Sequence, residues 1–319
     1  MLRHAILLTI VVSCPLRAQQ QGQVTLRQNF QSGRYVIAHE MASQGVTTMG
    51  PQSLEQSSTM KLVISLNMQA SKDNVTTVNM KFDRIAHSFS QNGQLLLEYD
   101  SDSRDDPKSP LASIYRPLLE TAISFEITPD GGIRNIRGLD ELWERLAREN
   151  PRLAPLAEQM KKQFGPQLIE NVVVQGADFY PNHPVGAGDS WTAQSWIEAP
   201  LIGRMDIQQN VTLTELRQAQ DGPLARLNVT GKAGMGQPRQ MTVGETTMTL
   251  TGMDLDQTSD MLMNVQTGMV HQQDTVGKVN TSMYMEGPQG ERVDVSSEQD
   301  FTGKTVIRRD EDAQKAVAF

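Results

Sequence analysis

Residues 60–68, MKLVISLNM, decide the fold, because apolar and polar side chains alternate along most of this stretch. A period of two places successive side chains on opposite faces of a strand, one buried and one in water. The same alternation recurs in four further segments: VTTVNMKF (75–82), LARLNV (224–229), MTLTGMDL (248–255) and MLMNV (261–265). Abundant Thr, Val and Gln are typical of a half-solvated antiparallel sheet, so the sequence predicts a mainly β fold.

Turn sequences separate these strands at intervals that favour an up-and-down meander. Asn92-Gly93 is the strongest of them, since this pair favours a two-residue hairpin loop. The others are TPDGG (128–132), AQDGP (219–223) and EGPQG (286–290). Polar residues 44–58 and the charged tail 309–319 are expected to be unstructured, and residues 101–110 to form a polar loop.

One stretch, residues 139–173, has helical instead of strand spacing. Its first apolar residues recur at three and four positions: Leu139, Leu142, Trp143 and Leu146. Pro151 ends this first helix, and a second is predicted from Pro155 to Phe164, before Gly165-Pro166. The sequence therefore predicts a helical hairpin at the middle of the chain.

The helical hairpin divides the chain into two strand-rich halves, 24–138 and 179–308. Each half contains a strand, a Gly turn and a return strand, in FEITPDGGIRNIRG (125–138) and in MLMNVQTGMVHQQD (261–274). This weak repetition indicates an internal duplication. We expect the halves to share one strongly curved antiparallel sheet, or two packed sheets, which makes the fold class mainly β (α+β).

Residues 1–18 resemble an export signal peptide. Arg3 and His4 precede an apolar run of about nine residues, which is too short for the roughly 20 that span a bilayer. Two processing routes are open: acylation of Cys14, which lies in a lipobox-like sequence, or ordinary cleavage after Ala18. The protein is accordingly expected to be periplasmic, anchored to the outer membrane through Cys14, or secreted, with no transmembrane segment.

Composition excludes several partners. The chain has 29 basic and 37 acidic residues, a net charge of −8. A diffusely acidic protein repels phosphate backbones, so no nucleic-acid partner is expected. Cys14 is the single cysteine, and the sequence contains no cofactor-binding motif, so no cofactor is predicted. The oligomeric state is left open.

Gly188-Asp189-Ser190 resembles the nucleophile block of one esterase superfamily. The base of those enzymes follows in an Asp-x-x-His motif, which this chain lacks, and the single histidine after Ser190 is His271. A serine without a placed base is a weak nucleophile. We therefore interpret the segment as a tight turn that Asp189 and Ser190 cap, followed by a strand that begins at Trp191. No catalytic residue is predicted, although a serine hydrolase centred on Ser190 stays an alternative.

Two further groups of residues could bind metal or phosphate. Asp254 and Asp256 fit the Asp-x-Asp-x-Thr block of a phosphotransferase family, but the flanks alternate as in a solvent-facing strand. The histidines are too far apart in sequence for a local metal site: His39, His87, His183 and His271. No metal is predicted at either group.

The methionines are the candidate ligand-binding residues. Met261 and Met263 share one strand face, as do Met283 and Met285, because each pair is two residues apart. Three interpretations are open: core packing, an adaptable apolar groove, and Cu(I) binding through thioethers. We take these four residues as the candidate lining for an apolar ligand.

Three short motifs carry a resemblance to a known family. They are FYPNHP with VGAGDSW (179–191), GLDEL (138–142) and VQTGMV (265–270). Together they resemble domain of unknown function 6263, an exported bacterial family, and this resemblance implies no activity and no catalytic residues. The strand-rich plan also resembles LolA-like lipoprotein carriers in architecture alone, where a curved sheet holds acyl chains under helices.

The leading functional hypothesis is non-enzymatic binding of a lipid, lipoprotein or other apolar ligand in the cell envelope. A large sheet lined by Met, Leu, Ile and Val would provide an adaptable apolar concavity that helices could cover. The competing hypothesis is an envelope structural or protein-interaction module without a ligand cavity.

Overall fold

The computed structural model describes residues 22–71, 73, 75–103, 109–129, 132–151, 179–199, 203–219, 222–243, 246–287 and 289–310. Within them the chain forms one 13-stranded antiparallel sheet and two short helices. The prediction of a mainly β fold with a large curved antiparallel sheet is confirmed. Residues 1–21, which include Cys14 and Ala18, and residues 311–319 lie outside the described residues.

The first half of the chain contributes six strands and both helices. In order they are β1 (Gly33–Met49), β2 (Gln52–Ala70), β3 (Thr76–Gln91), β4 (Gln94–Asp100), α1 (Ala112–Glu120), β5 (Ile123–Ile127), β6 (Ile133–Arg137) and α2 (Leu139–Glu149). The second half contributes β7 (Ser190–Ala199), β8 (Gly203–Ala219), β9 (Gly222–Gly234), β10 (Arg239–Val243), β11 (Thr246–Asn264), β12 (Val270–Glu286) and β13 (Arg292–Arg309).

The two halves join in the middle of the sheet. Its strand order is β6-β5-β3-β2-β1-β13-β12-β11-β9-β8-β7, with β4 paired to β3 and β10 paired to β11. The first and last strands, β1 and β13, pair over fifteen positions from Tyr35↔Arg309 to Met49↔Val295. The halves therefore share one sheet, which is one of the two arrangements expected from the sequence, while their duplication stays a prediction.

The predicted hairpins form at their turn sequences. At Asn92-Gly93 both residues have positive φ, 49° and 75°, and Gln91 pairs with Gln94 across a two-residue loop. This geometry is the one that Asn-Gly favours, because glycine and asparagine tolerate the left-handed region at little cost.

One expectation from polarity is corrected by the structure. Residues 44–58 were expected to be unstructured, but they form the outer part of the β1–β2 hairpin, with Gln44 paired to Ser57 and Met49 to Gln52. A run of Ser, Thr and Gln fits a strand whose two faces are both partly wet, so low hydrophobicity alone does not indicate disorder there. The first helix of the predicted helical hairpin is present as α2. The predicted second helix lies outside the described residues.

One helix was not predicted. Residues 112–120 form α1, which contains the buried Pro117. The sequence signal is present in the three- and four-residue spacing of Leu111, Ile114, Tyr115 and Leu118, and Pro117 obscured it. This helix packs over β3 and β4 in a cluster with Ile85 and Tyr99.

Three apolar clusters form the core. The first joins α2 to β3 and β5 through Leu142, Trp143, Val78 and Phe125. The second lies in the other half of the sheet, where Val211, Leu227 and Met263 pack against the segments that contain Leu26 and Val185. The third is the α1 cluster. The first two clusters face each other across the inner side of the sheet, and the candidate site lies between them.

Candidate functional site

A cavity of about 440 Å³ opens between the two large core clusters. Val78 and Phe125 of the first cluster and Val229, Met261 and Met263 of the second all line it. Strands β3 and β9 are six strands apart in the sheet order, about 29 Å if the sheet were flat. Because both contribute to one cavity, the sheet must curve strongly around this face, which is called the inner face below.

The larger part of the cavity lining is apolar. Besides the residues of the two clusters, it includes Phe30, Ile37, Ile64, Leu66, Met80, Phe179, Met269 and Ile307. Ligand pockets typically measure about 300–1,000 Å³ and combine an apolar lining with a few placed polar groups. The volume and the lining of this cavity both fall in that class.

Four polar side chains of the lining form one group, which we call the polar band: Gln209, Gln257, Ser259 and Gln273. Gln28 and Tyr180 are the other polar side chains of the lining. The Gln273 amide donates to the hydroxyls of Ser259, at 3.3 Å, and Thr275, at 3.2 Å. Those two hydroxyls are themselves 2.8 Å apart. Ser259 is only 2% exposed, so this hydrogen-bonded group holds its geometry away from bulk water.

A glycine brings the other two amides of the polar band together. Gly231 on β9 pairs with Gln209 on one side and Gln257 on the other. A Cβ at Gly231 would stand 3.2 Å from the Gln257 side chain and 3.6 Å from that of Gln209. The two glutamines therefore extend over the space that the missing side chain leaves.

His39 continues the polar band across the sheet. Thr305 on β13 pairs with Gln273 on one side and with His39 on the other. The Thr305 hydroxyl is 2.9 Å from His39 Nδ1. Burial lowers the pKa of His39 below its ordinary value because it penalises the charged imidazolium. The imidazole is accordingly neutral at neutral pH.

Two segments from distant parts of the sequence close the apolar end of the cavity. Residues 22–32 and 179–189 pair through a bridge between Val24 and Val185, and they place Phe30, Phe179 and Tyr180 in the lining. The Tyr180 hydroxyl donates to the carbonyl of Gly268, at 2.9 Å. Burial raises the pKa of Tyr180 to about 12, so this hydroxyl keeps its proton.

The β11–β12 turn holds both closing segments. Gly268 has φ +67°, and a Cβ there would lie 2.2 Å from the carbonyl oxygen of Arg27. The backbone N–H of Asn29 donates a hydrogen bond to the Thr267 carbonyl, at 2.8 Å. Glycine at 268 thus permits both the left-handed turn and the close approach of the first segment.

The four candidate methionines fall into two separate environments. Met261 and Met263 line the cavity and are 8% and 1% exposed. Met283 and Met285 are half-buried near the other end of β12. Met261 pairs with Gln273, ten residues or about 34 Å from Met283. The structure therefore does not bring the two pairs into one site, and only the first pair adjoins the cavity.

Ser190 is the first residue of β7 and directly follows the turn that precedes this strand. Asp189 accepts a hydrogen bond from the Gly186 amide at 2.8 Å, and Gly188 has φ +97°. The exposed Ser190 hydroxyl is 2.9 Å from that of Thr212, its neighbour on β8. These contacts are those of a capped turn that leads into a strand pair.

The other candidate residues are dispersed. Asp254 and Asp256 are exposed on the outer face of β11, and Asp256 forms an ion pair with Lys232 at 2.9 Å. His183 is exposed in the loop before β7. His271 lies on β12. Across the described ranges, no three His, Cys, Asp or Glu side chains meet as a metal-binding group.

His87 has a structural partner on each ring nitrogen. Its Nε2 is 3.0 Å from the Ser58 hydroxyl, and its Nδ1 is 2.6 Å from the Tyr115 hydroxyl of α1. Burial lowers the pKa of His87. The pair of contacts attaches α1 to the sheet.

The motifs that resemble a known family all lie at close contacts of the backbone. Gly138 of GLDEL precedes α2 at φ +86°, where a Cβ would be 2.1 Å from the Ala122 carbonyl oxygen. Trp191 of VGAGDSW donates to the Phe179 carbonyl at 2.8 Å. Tyr180 of FYPNHP reaches Gly268 of VQTGMV, as described above. Two of the three motifs thus meet where the cavity is closed.

The residues that sequence reasoning missed are those of the polar band. Gln209 and Gln257 lie on strands whose other inward positions are largely apolar, but each glutamine by itself resembles an ordinary wet-face residue. The available signal was position: on β11, Gln257 and Ser259 share a face with Met261 and Met263.

Solved structures resemble the chain only distantly. A protein described as exported, with a YmcC-like fold, from Bacteroides fragilis is 10% identical, with 90% of this chain and 98% of that chain covered and a TM-score of 0.21. A DUF1329 family protein from Desulfovibrio piger is 11% identical, with 88% and 87% covered and a TM-score of 0.16. The β domain of the Bordetella autotransporter BrkA is 9% identical, with 85% and 98% covered and a TM-score of 0.20.

No curated protein matches the chain significantly. In the part of the chain that the structure describes, no helix has the length and apolar character needed to cross a membrane. A family model, that of a family of unknown function, DUF6263, matches residues 73–270. These residues span more than half of the chain and include all three motifs in full, together with most of the cavity lining, and the chain therefore belongs to the DUF6263 family.

Proposed function

We propose that this protein binds a lipid, the acyl part of a lipoprotein or another apolar ligand in the cavity on its inner face. The cavity of about 440 Å³ between the two core clusters is the observation that supports the proposal most strongly. An apolar cavity of this size, with a few convergent polar groups, is the usual form of a small-molecule site.

The character of the lining supports an elongated, apolar occupant. Met261, Met263 and Met269 provide adaptable thioether side chains. Such unbranched side chains accommodate flexible apolar ligands better than branched side chains do. Along β11 the cavity extends from Gln257 to Met263, six residues or about 20 Å. These dimensions suit an extended acyl chain.

The proposed location is outside the cytoplasm. The leader-like residues 1–18 support export, and Cys14 would provide a lipid anchor if it is acylated. We propose that the protein acts by binding and not by catalysis, since Ser190 forms a capped turn on the edge strand β7.

The first experiment is native mass spectrometry of protein exported and purified without detergent, with a denaturing mass of the same sample. A native mass above the chain mass, with the excess lost on denaturation, would support a bound ligand and give its mass. The denaturing mass would also distinguish a chain acylated at Cys14 from one that begins after Ala18.

A matched pair of variants tests the site itself by displacement of a fluorescent fatty-acyl probe. Gln209→Trp places a large ring in the cavity, whereas Gln208→Trp places it on the exposed outer face of the same strand. We expect Gln209→Trp to lose probe binding and Gln208→Trp to retain it. Equal binding by the two variants, with both folded by circular dichroism, would place the ligand elsewhere. No binding by the unmodified protein would favour the structural or interaction module.

A further inference from the structure

We infer that the cavity selects a single-chain acyl ligand with an uncharged polar head, such as a glycerol ester, over the same chain with an anionic head. This inference rests on the proposed function and names its ligand class. It follows from which polar groups line the cavity, where they lie, and how the protein's charge is distributed.

The cavity lining carries no formal charge. Among its described residues there is no Lys, Arg, Asp or Glu, and the polar side chains are glutamines, one serine and one tyrosine. An anionic head inside the cavity would therefore lose its hydration without gaining a cationic partner, which is costly for an ionised carboxylate. The protein as a whole has a net charge of −8, which also disfavours an approaching anion.

Four of the six polar side chains of the lining, those of the polar band, lie at one end of the cavity. The other two, Gln28 and Tyr180, lie in the closing segments, where the Tyr180 hydroxyl donates to the Gly268 carbonyl. On β11 the inward residues change from Gln257 and Ser259 to Met261 and Met263 within six positions. The apolar end lies under Phe30 and Phe179. A chain with a polar head has one favourable orientation in such a cavity, with the acyl tail among the methionines and the head at the polar band.

The polar band has the donors and acceptors that ester and hydroxyl groups need. The amides of Gln209 and Gln257 flank Gly231, where no side chain separates them. Each amide offers both a donor and an acceptor. Gln273, by contrast, is held by the Ser259 and Thr275 hydroxyls. An uncharged head can thus satisfy its hydrogen bonds there without the desolvation of a charge.

The test compares two ligands that share one acyl chain, monooleoylglycerol and oleic acid, at about pH 8, where the carboxyl group is ionised. Both are titrated below their micelle-forming concentrations against the delipidated full-length mature protein, with displacement of an uncharged fluorescent acyl probe as the readout. We expect the glycerol ester to bind about tenfold more tightly or better. Equal affinities, or tighter binding of oleic acid, would overturn the inference while leaving the proposed function intact. Failure of both ligands and of the probe would instead refute the proposed function.

A charge introduced on the inner face provides a second, independent test. Gln273→Lys places an ammonium group at the polar band, whereas Gln272→Lys places it on the exposed face of the same strand, where Asp274 is a neighbour. We expect Gln273→Lys to shift the affinity ratio of the two ligands towards oleic acid by about tenfold, and Gln272→Lys to leave it unchanged. The same ratio in both folded variants would show that the head does not reach the polar band. If Gln273→Lys fails to fold, the comparison of the two ligands on the unmodified protein still decides the matter.

Discussion

The closure of the cavity depends on one glycine, and Gly268→Ala is the sharpest test of how the closing segments are held. At φ +67° an alanine is strained, and its Cβ would lie 2.2 Å from the Arg27 carbonyl oxygen. Backbone atoms cannot yield as a flexible side chain does, so residues 22–32 must move away. We expect a large loss of stability and release of this segment.

The magnitude has two parts. The left-handed conformation costs a residue with a Cβ about 1–2 kcal/mol. Displacement of the segment would also break the hydrogen bond from Asn29 to Thr267 and disturb that from Tyr180 to Gly268. At about 0.5–1.5 kcal/mol each, these add about 1–3 kcal/mol. The expected total is about 2–5 kcal/mol.

Gly93→Ala is the matched control, because Gly93 has φ +75° and no atom within 4 Å of its Cβ position. We expect this control to lose about 1–2 kcal/mol in urea unfolding followed by tryptophan fluorescence. Limited trypsin digestion should cleave after Arg27 faster in Gly268→Ala than in Gly93→Ala. If the two variants lose the same stability and digest alike, the close approach at Gly268 does not hold the segment.

Two further outcomes follow from burial. Met263→Ala should cost about 2–5 kcal/mol of unfolding free energy, because Met263 is 1% exposed. Met285→Ala should cost clearly less, because Met285 is half-buried. Comparable losses in the two variants would contradict the assignment of Met263, and not Met285, to the core. Burial lowers the pKa values of His39 and His87, so below about pH 6.5 the unfolded chain binds more protons and stability should fall. Replacing either histidine by Gln should reduce that fall, and the exposed His183→Gln should not.

The strands and their turns could be predicted because their causes are local. Alternation in MKLVISLNM and the Asn92-Gly93 turn each specify structure within a few residues. The β1–β2 hairpin tip around residues 44–58 escaped prediction because its strands are held by pairing with distant partners. Val46, for example, pairs with Glu55 and with Glu298, and the second of these partners lies far away in the sequence.

The candidate site could be predicted only in part, for a related reason. The spacing of Met261 and Met263 placed both side chains on one face of a strand. Met283 and Met285 have the same spacing, so the sequence could not show that the first pair lines a cavity and the second lies at the other end of a long strand. That distinction depends on which parts of the inner face lie opposite other elements. It is set by sheet curvature and by the closing segments, which are properties of the whole fold.

The position of the cavity suggests how ligand binding would affect the protein. The two large core clusters lie in different halves of the sheet, and the cavity lies between them. A ligand that fills this space would contact both clusters at once, so it would bind the folded sheet and not either half alone. Such binding adds about 2.7 kcal/mol of stability at a free ligand concentration of one hundred times Kd. Because the added stability depends on both clusters, the ligand should raise the unfolding midpoint reported by Trp143 in the first half and by Trp191 in the second by the same amount.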